Sequence, residues 1–242
     1  MSDRIPGPAL VVCSGGLDSV TLAHRLAAEP GGVAALVTFD YGQRHRKEID
    51  FAARCAERLG VRHEVVDLSD VGRRIAGSAL TDATDVPEGH YSSETMAVTV
   101  VPNRNPLMLA AAFALAGGWG LTRVAAAMHT GDHVIYPDCR PAFIDAFQAM
   151  EDTALDGVAS IGLETPFIHW SKTEIAAEAG RLSVPIAETW SCYKGEAVHC
   201  GRCGTCVERL EALHDAGVAD PTDYADRAFW RAEVARWKGE AN

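Results

Sequence analysis

The chain opens on a strand-turn-helix signature. The apolar run Pro8-Ala9-Leu10-Val11-Val12-Cys13 ends in Ser14-Gly15-Gly16-Leu17-Asp18-Ser19, and a helical pattern follows from about Val20 to Ala28. A buried strand feeding a glycine-rich turn and then a helix predicts a parallel α/β unit, because parallel strands are joined only through a crossover. The alternation repeats. Residues 33–39 (VAALVTF) are a second apolar run, helical spacing runs from about Lys47 to Leu59 and stops at Gly60, and 62–67 (RHEVVD) read as a third strand. Near-continuous apolar strands separated by helices predict an α/β fold with a parallel sheet covered on both faces.

Periodicity then lapses. Residues 69–102 carry Gly, Ser, Thr, Asp and Pro without a pattern, and so long a stretch in a compact domain is expected to be a functional loop or disordered. Pro106 suits the first turn of a helix that runs to about Ala116 and ends at Gly117-Gly118. Residues 122–128 suit a fourth strand, 141–155 a helix, and Thr165-Pro166-Phe167 a short fifth strand or turn. Ser171-Lys172-Thr173-Glu174 has the form of a capping box opening a helix to about Leu182. A short helix over 207–214 and a terminal one over 223–237 complete the reading. The longest apolar stretch, Leu107 to Trp119, is too short for the ~20 residues of a membrane span, so it reads as a buried helix and no membrane partner is expected.

With 242 residues, 48% hydrophobic and 23% charged, the chain is neither disordered nor fibrous and suits one large domain with a small appendage. Its net charge of −11 disfavours a general nucleic-acid binder, so no stable nucleic-acid partner is expected. Seven cysteines, an odd number, accompany an N-terminus (MSDRIPGPAL) without the form of a secretory leader. A cytoplasmic location is expected, where clustered cysteines favour metal or catalysis over disulfides.

Two local patterns carry chemistry. In Ser14–Ser19 the glycines permit unusual backbone angles and a close approach to a ligand, and the following helix N-terminus offers free N–H donors and partial positive charge. Together they make an anion cradle suited to a phosphate chain. A plain strand-to-helix turn with Asp18 and Ser19 as caps is the simpler alternative. Farther along, Cys192, Cys200, Cys203 and Cys206 follow C-x7-C-x2-C-x2-C, with Gly201 and Gly204 read as tight turns and His199 as a possible substitute ligand. Four thiolates can close a tetrahedral, structural zinc site, one ion per chain. An iron–sulfur cluster and a redox dithiol are the alternatives. Cys13 and Cys55 read as small buried hydrophobes, and Cys139 is unassigned.

Seven motifs occur in order: SGGLDS (14–19), TFDYGQRHRKEID (38–50), VPNRN (101–105), YPDCR (136–140), TPF (165–167), ETWSCY (188–193) and HCGRCGTC (199–206). The first resembles the signature of the PP-loop ATP pyrophosphatases. The whole set is similar to the 7-cyano-7-deazaguanine synthases of the queuosine and archaeosine pathways, over about residues 9–214. The resemblance implies a Rossmann-like (adenine nucleotide alpha hydrolase-like) sheet in a PP-loop domain over 1–185, with a zinc-binding and helical C-terminal segment over 186–242 packed on it. It further implies a homodimer that uses ATP with Mg2+ to convert 7-carboxy-7-deazaguanine and ammonia, through adenylated intermediates and an amide, to the nitrile. The family usually has VPGRN and SGYPDCR, whereas this chain has Asn103 and, before Tyr136, Val134-Ile135. An enzyme acting on another deazapurine, one attaching a deazaguanine to a macromolecule, and a PP-loop tRNA-modifying enzyme are the neighbouring readings.

Roles follow from that frame. Ser14, Gly15, Gly16, Leu17, Asp18 and Ser19 are expected to hold the pyrophosphate, with Asp18, Lys172 and Arg104 as the catalytic charges. Asp40, Gln43, Arg44 and His45 follow the second strand, where open parallel sheets bind ligands, and are expected at the nucleotide together with neighbouring Tyr41. Tyr136, Asp138 and Arg140 follow the fourth strand and are expected at the deazapurine, with Asp132 a weaker candidate.

Overall fold

A computed structural model describes residues 7–75, 77–82, 84–91 and 94–239. The N-terminal segment read above as lacking a leader lies, up to residue 6, outside the described residues. The elements run β1 (Ala9–Val12), α1 (Leu17–Ala27), β2 (Val33–Asp40), α2 (Glu48–Leu59), β3 (Arg62–Asp67), α3 (Ser69–Gly72), α4 (Arg104–Gly118), β4 (Arg123–Ala125), α5 (Pro141–Ala154), β5 (Gly162–Glu164), α6 (Lys172–Arg181), α7 (Gly204–Asp215) and α8 (Phe229–Trp237). All strand pairs are parallel, in the order β3-β2-β1-β4-β5.

Alternate side chains leave opposite faces of a strand, and here both faces are buried. Ala9, Val11 and Cys13, with Leu36 and Ala125, pack beneath α1, α2, α6 and α7. Leu10, Ala35, Val37, Phe39 and Val124 pack against α4 and α5 on the other side. Ala212 and Leu213 of α7 enter the first of these cores, so the C-terminal segment is packed on the sheet's helical layer. Among the described residues no helix is long and apolar enough to cross a membrane.

Several boundaries depart from the sequence reading. The fifth strand is Gly162–Glu164 and not Thr165–Phe167; Pro166 has no N–H for a ladder, and Ile168 N–H closes a turn on the Thr165 carbonyl at 3.0 Å. The last helix begins at Phe229 rather than Asp223, because Asp226 Oδ1 accepts the N–H groups of Ala228 and Phe229, each at 3.0 Å, and starts it there. Within 69–102 only α3 and a 3₁₀ turn at Glu94–Thr99 are helical among the described residues.

Asn103, one of the two departures from the resemblance noted above, has φ 56° and ψ 21°. This is the left-handed region that glycine enters freely and asparagine tolerates better than most residues. The departure therefore answers a backbone demand at the start of α4. Asn103→Ala is expected to lose about 1 kcal/mol against wild type, with Asn103→Gly near wild type, in urea denaturation.

Candidate active site

The C-terminal ends of β1, β2 and β4 open into a cavity of about 240 Å³. It lies where the strand order reverses on either side of β1, the position at which doubly wound sheets bind ligands. The turn after β1 forms one wall and is braced by its own hydroxyls. Ser19 Oγ accepts from Ser14 N–H at 3.2 Å and donates to the Gly16 carbonyl at 3.2 Å, while Ser14 Oγ accepts from Gly16 N–H at 3.3 Å. The glycines do different work. Gly15 has φ +80°, and a Cβ there would lie 2.3 Å from the Glu48 carbonyl oxygen, so the turn closes directly on α2. Gly16 has φ −75° and is the N-cap of α1, which no side chain caps. Asp18 and Ser19 are therefore not caps. Among the described residues no side chain accepts from the N–H groups of Leu17, Asp18 and Ser19, which leaves them available to an anion.

Lys172 is the first residue of α6, set there by the capping box between Ser171 and Glu174. Its Nζ is 2.6 Å from Asp18 Oδ2 and 3.3 Å from Glu208 Oε2. A cation at a helix N-terminus opposes the helix dipole; two carboxylates hold this one. His129 Nδ1 accepts from Gly131 N–H at 3.1 Å, which leaves Nε2 toward Asp18 Oδ2 at 3.8 Å and Asp132 Oδ2 at 3.5 Å. Burial opposes ionisation of Asp18, but the Lys172 ammonium and then His129 outweigh it and hold the carboxyl below its ordinary value. Burial also opposes the Lys172 charge, and Asp18 and Glu208 reverse that, raising its pKa. Burial raises Glu208, against the pull of Lys172. Asp18 Oδ1 is buried with no hydrogen-bond partner among the described residues, a condition that a ligand or ion at the cradle would relieve.

Arg104, at the start of α4, occupies another wall. Its guanidinium carbon lies 5.7 Å from the Tyr136 ring centroid and 6.0 Å from that of Tyr41. Tyr41, Tyr193, Tyr136 and Cys139 lie around it, and its charge also reaches the Glu48 carboxyl. Burial pushes Tyr41 up to about 12, so its phenol is neutral at pH 7. A buried guanidinium that forms no ion pair among the described residues, set among aromatic rings, suits a planar anionic substrate. Cys139 is a wall residue: its Sγ accepts from Asn105 Nδ2 at 3.2 Å and burial pushes the thiol up, away from nucleophilic thiolate.

The structure thus gathers Ser14, Gly16, Leu17, Asp18 and Ser19 at the cavity with His45, Arg104, Tyr136 and Lys172. Others expected there are turned elsewhere. Asp40 pairs with Arg46 at 2.6 Å and accepts from Gly42 N–H. Gln43 is tied to Tyr41 N–H and the Phe39 carbonyl. Arg44 reaches out to the carbonyls of Asp82 and Thr84. Asp138 accepts from Asn105 N–H at 3.3 Å at the start of α4, and Arg140 donates to the His133 carbonyl at 2.8 Å. In each case a nearby backbone group claims the polar side chain. Val134 is 65% exposed, and neither it, Ile135 nor Asn103 lines the cavity. Sequence reasoning missed His129, Glu208, Glu48 and Tyr193, which reach the site from separate elements and carry no shared local pattern.

The four cysteines lie at one edge of this architecture. All are buried and their sulfurs lie within 4.8 Å of one another, so they could hold a metal ion. Backbone N–H groups of Cys200, Arg202 and Cys203 point at these sulfurs from 3.2–3.4 Å. Gly201 has φ +77° and is pressed against the Asp226 carbonyl; Gly204 is no turn but the first residue of α7, where a Cβ would meet Met96 Sδ at 2.8 Å. His199 is not in the sulfur set: its Nε2 accepts from Ser191 N–H at 3.1 Å. Next to it Arg209, fully buried, binds Thr189, Ser191, Thr222, the Ile186 carbonyl and Asp220. Arg209→Met leaves Asp220 buried without its cation and is expected to cost about 3 kcal/mol in urea denaturation.

A family profile described as Queuosine biosynthesis protein QueC matches residues 8–217. A Rhizobium meliloti protein named 7-cyano-7-deazaguanine synthase is 62% identical over 231 residues, covering 96% of this chain and 98% of its own. A Ruegeria pomeroyi protein of the same name is 62% identical over 225 residues, covering 93% and 97%. Among solved structures, NMN synthetase from Francisella tularensis aligns over 97% of this chain and 85% of its own with a TM-score of 0.51 at 14% identity, a likeness of fold alone. With the profile spanning most of the chain and relatives this similar over nearly their whole length, the chain belongs to the QueC family.

Proposed function

We propose that this chain is an ATP-dependent carbon–nitrogen ligase that converts 7-carboxy-7-deazaguanine and ammonia to 7-cyano-7-deazaguanine. Family membership and the name shared by its relatives support the reaction. The observation that carries it is that one cavity contains both an uncapped helix N-terminus beside an Asp18–Lys172 pair and a buried Arg104 that forms no ion pair among the described residues. The first suits a phosphate chain and the second a planar carboxylate.

A carboxylate is a poor acyl donor because oxide is a poor leaving group. Attack of the carboxylate on the α-phosphorus of ATP releases pyrophosphate and gives an acyl adenylate. Ammonia adds to the acyl carbon and AMP departs, leaving the amide. The amide oxygen attacks the α-phosphorus of a second ATP and releases pyrophosphate; one N–H proton leaves to give the neutral O-adenylated imidate, and loss of AMP with the remaining N–H proton leaves the nitrile. In this scheme Ser14–Ser19 hold the phosphates and Lys172 follows the negative charge onto the departing pyrophosphate. Arg104 orients the carboxylate against Tyr136. Mg2+ would neutralise phosphate charge, and the unpaired Asp18 Oδ1 is the atom placed to help hold it.

For the cysteine site we infer zinc. Zn–S bonds of ~2.3 Å in a tetrahedron set the sulfurs about 3.8 Å apart; Cys200 to Cys206 is 3.9 Å and Cys192 to Cys203 is 4.0 Å. A four-iron cluster binds each thiolate to a different iron and needs a wider set. With four sulfurs and no open position, the ion cross-links the fold.

Incubation with 7-carboxy-7-deazaguanine, ammonium and Mg-ATP should give the nitrile with about two AMP per product, as two adenylations require. No turnover of that carboxylate, together with ATP-dependent modification of an RNA, would reverse the assignment.

A further inference from the structure

The cavity contains an acid–base pair to which the scheme above gives no task. His45 and Glu48 both line it and are 3% and 9% exposed. His45 Nε2 is 3.4 Å from Glu48 Oε2. The other carboxylate oxygen, Oε1, accepts from Gln43 Nε2 at 3.0 Å, and Gln43 is itself pinned by the Tyr41 N–H and the Phe39 carbonyl. The carboxyl is therefore held in place. The other imidazole nitrogen, His45 Nδ1, is buried with no hydrogen-bond partner among the described residues. A buried ring nitrogen left unpaired at a cavity wall lacks a partner that a bound molecule would supply.

The surroundings suit proton exchange better than charge recognition. Burial drives the imidazole down to about 3, aided by Arg104 and Arg44, so it is neutral at pH 7. Burial drives Glu48 up to about 8, against Gln43 and Arg104, with Cys13 adding a further upward push. The charged or titratable groups facing the pair are Tyr41, Cys13, Arg44, Arg104 and Tyr193, whose ring centroid lies 5.1 Å from that of His45. A group titrating near the working pH is an effective proton acceptor, and an uncharged imidazole edge offers no attraction to phosphate.

We propose that His45 and Glu48 form the catalytic relay that removes the proton from substrate nitrogen on the way from activated amide to nitrile; the proposal rests on the synthase reading. The step balances without a co-reactant. The activated amide first loses one of its two N–H protons to solvent, giving the neutral imidate; the remaining N–H bond then breaks and its proton passes to His45 Nδ1, while the Nε2 proton moves to the Glu48 carboxylate. The electron pair left on nitrogen forms the third C–N bond, and the C–O bond to the activating phosphate breaks, releasing AMP.

The test uses the full-length protein and Glu48→Gln, which preserves the volume and an acceptor for Gln43. Carboxylate-dependent ATP–pyrophosphate exchange reports adenylation, and conversion of the synthetic amide reports nitrile formation. Exchange should stay within about threefold of wild type while nitrile formation falls about 10²-fold, the usual scale of one general base. The wild-type nitrile rate should rise with pH through about 8, and the variant should lose that limb. Stability gives a readout independent of turnover. Because the folded carboxyl is raised from 4.5 to about 8, wild type loses stability as pH rises across that window, and the margin of Glu48→Gln over wild type should widen there. Equal loss of exchange and nitrile formation, or no loss of either, overturns the relay alone. Absence of carboxylate-dependent exchange in wild type overturns the synthase reading and the relay with it.

Discussion

Cys203→Ser should leave the protein with less than stoichiometric metal, where wild type should bind about one zinc per chain, and should lower unfolding stability by about 5 kcal/mol or more. Structural zinc in small domains is worth ~10–16 kcal/mol of apparent binding energy. Part of that is retained here because α7 is also anchored by Ala212 and Leu213 in the main core. The sulfurs pack with Phe51 of α2, Ala79, Val86 and Trp190, and Gly89 N–H bonds the Arg202 carbonyl at 3.0 Å. Loss of the ion should therefore loosen the wall carrying Trp190, Ser191 and Tyr193, which line the cavity, and abolish turnover before global unfolding. Metal analysis with thermal unfolding under a chelator checks this. Iron with sulfide, or full activity in metal-free protein, would refute it.

Lys172→Met and Asp18→Asn should each lower kcat by about 10³-fold, the upper range for removing one group that stabilises transition-state charge. Lys172→Met also strands Asp18 and Glu208, so the carboxyl of Asp18 should titrate higher than in wild type. The double variant should be little worse than either single one, because the two side chains act as a unit. Steady-state kinetics with the carboxylate substrate measure both. A loss confined to KM for ATP would reduce the pair to a binding role. The stability signs are opposite at the two ends of the pH scale. Depressed Asp18 contributes above its unfolded value, and that contribution is lost as pH falls through the lower folded one; raised Lys172 contributes below its unfolded value, and that is lost as pH rises through the higher folded one. The pair is therefore intact across the neutral range, and a rate change near pH 8 points to Glu48 instead.

The distribution of the sequence-derived residues has a physical pattern. β2 and the capping box of α6 were legible because each depends on neighbours in the chain: an apolar run is continuous along the strand, and a cap bonds within three residues. The polar segment from Asp40 to Glu48 was not separable in the same way. It contains a strut (Gln43), a loop anchor (Arg44) and two cavity residues (His45, Glu48) within a few positions. Which is which depends on where the Phe39, Asp82 and Thr84 carbonyls lie.

By itself the sequence determined a parallel α/β sheet, a glycine turn between its first strand and first helix, and a four-cysteine cluster, because periodicity, glycine placement and cysteine spacing act over short distances. The tertiary structure alone decided that Glu208 of α7 meets Lys172 of α6, that Arg104 lies among Tyr41, Tyr136 and Tyr193, and that His45 Nδ1 has no hydrogen-bond partner among the described residues. A polar side chain's task is set by the partners that packing brings to it, and those come from elements far apart in the chain.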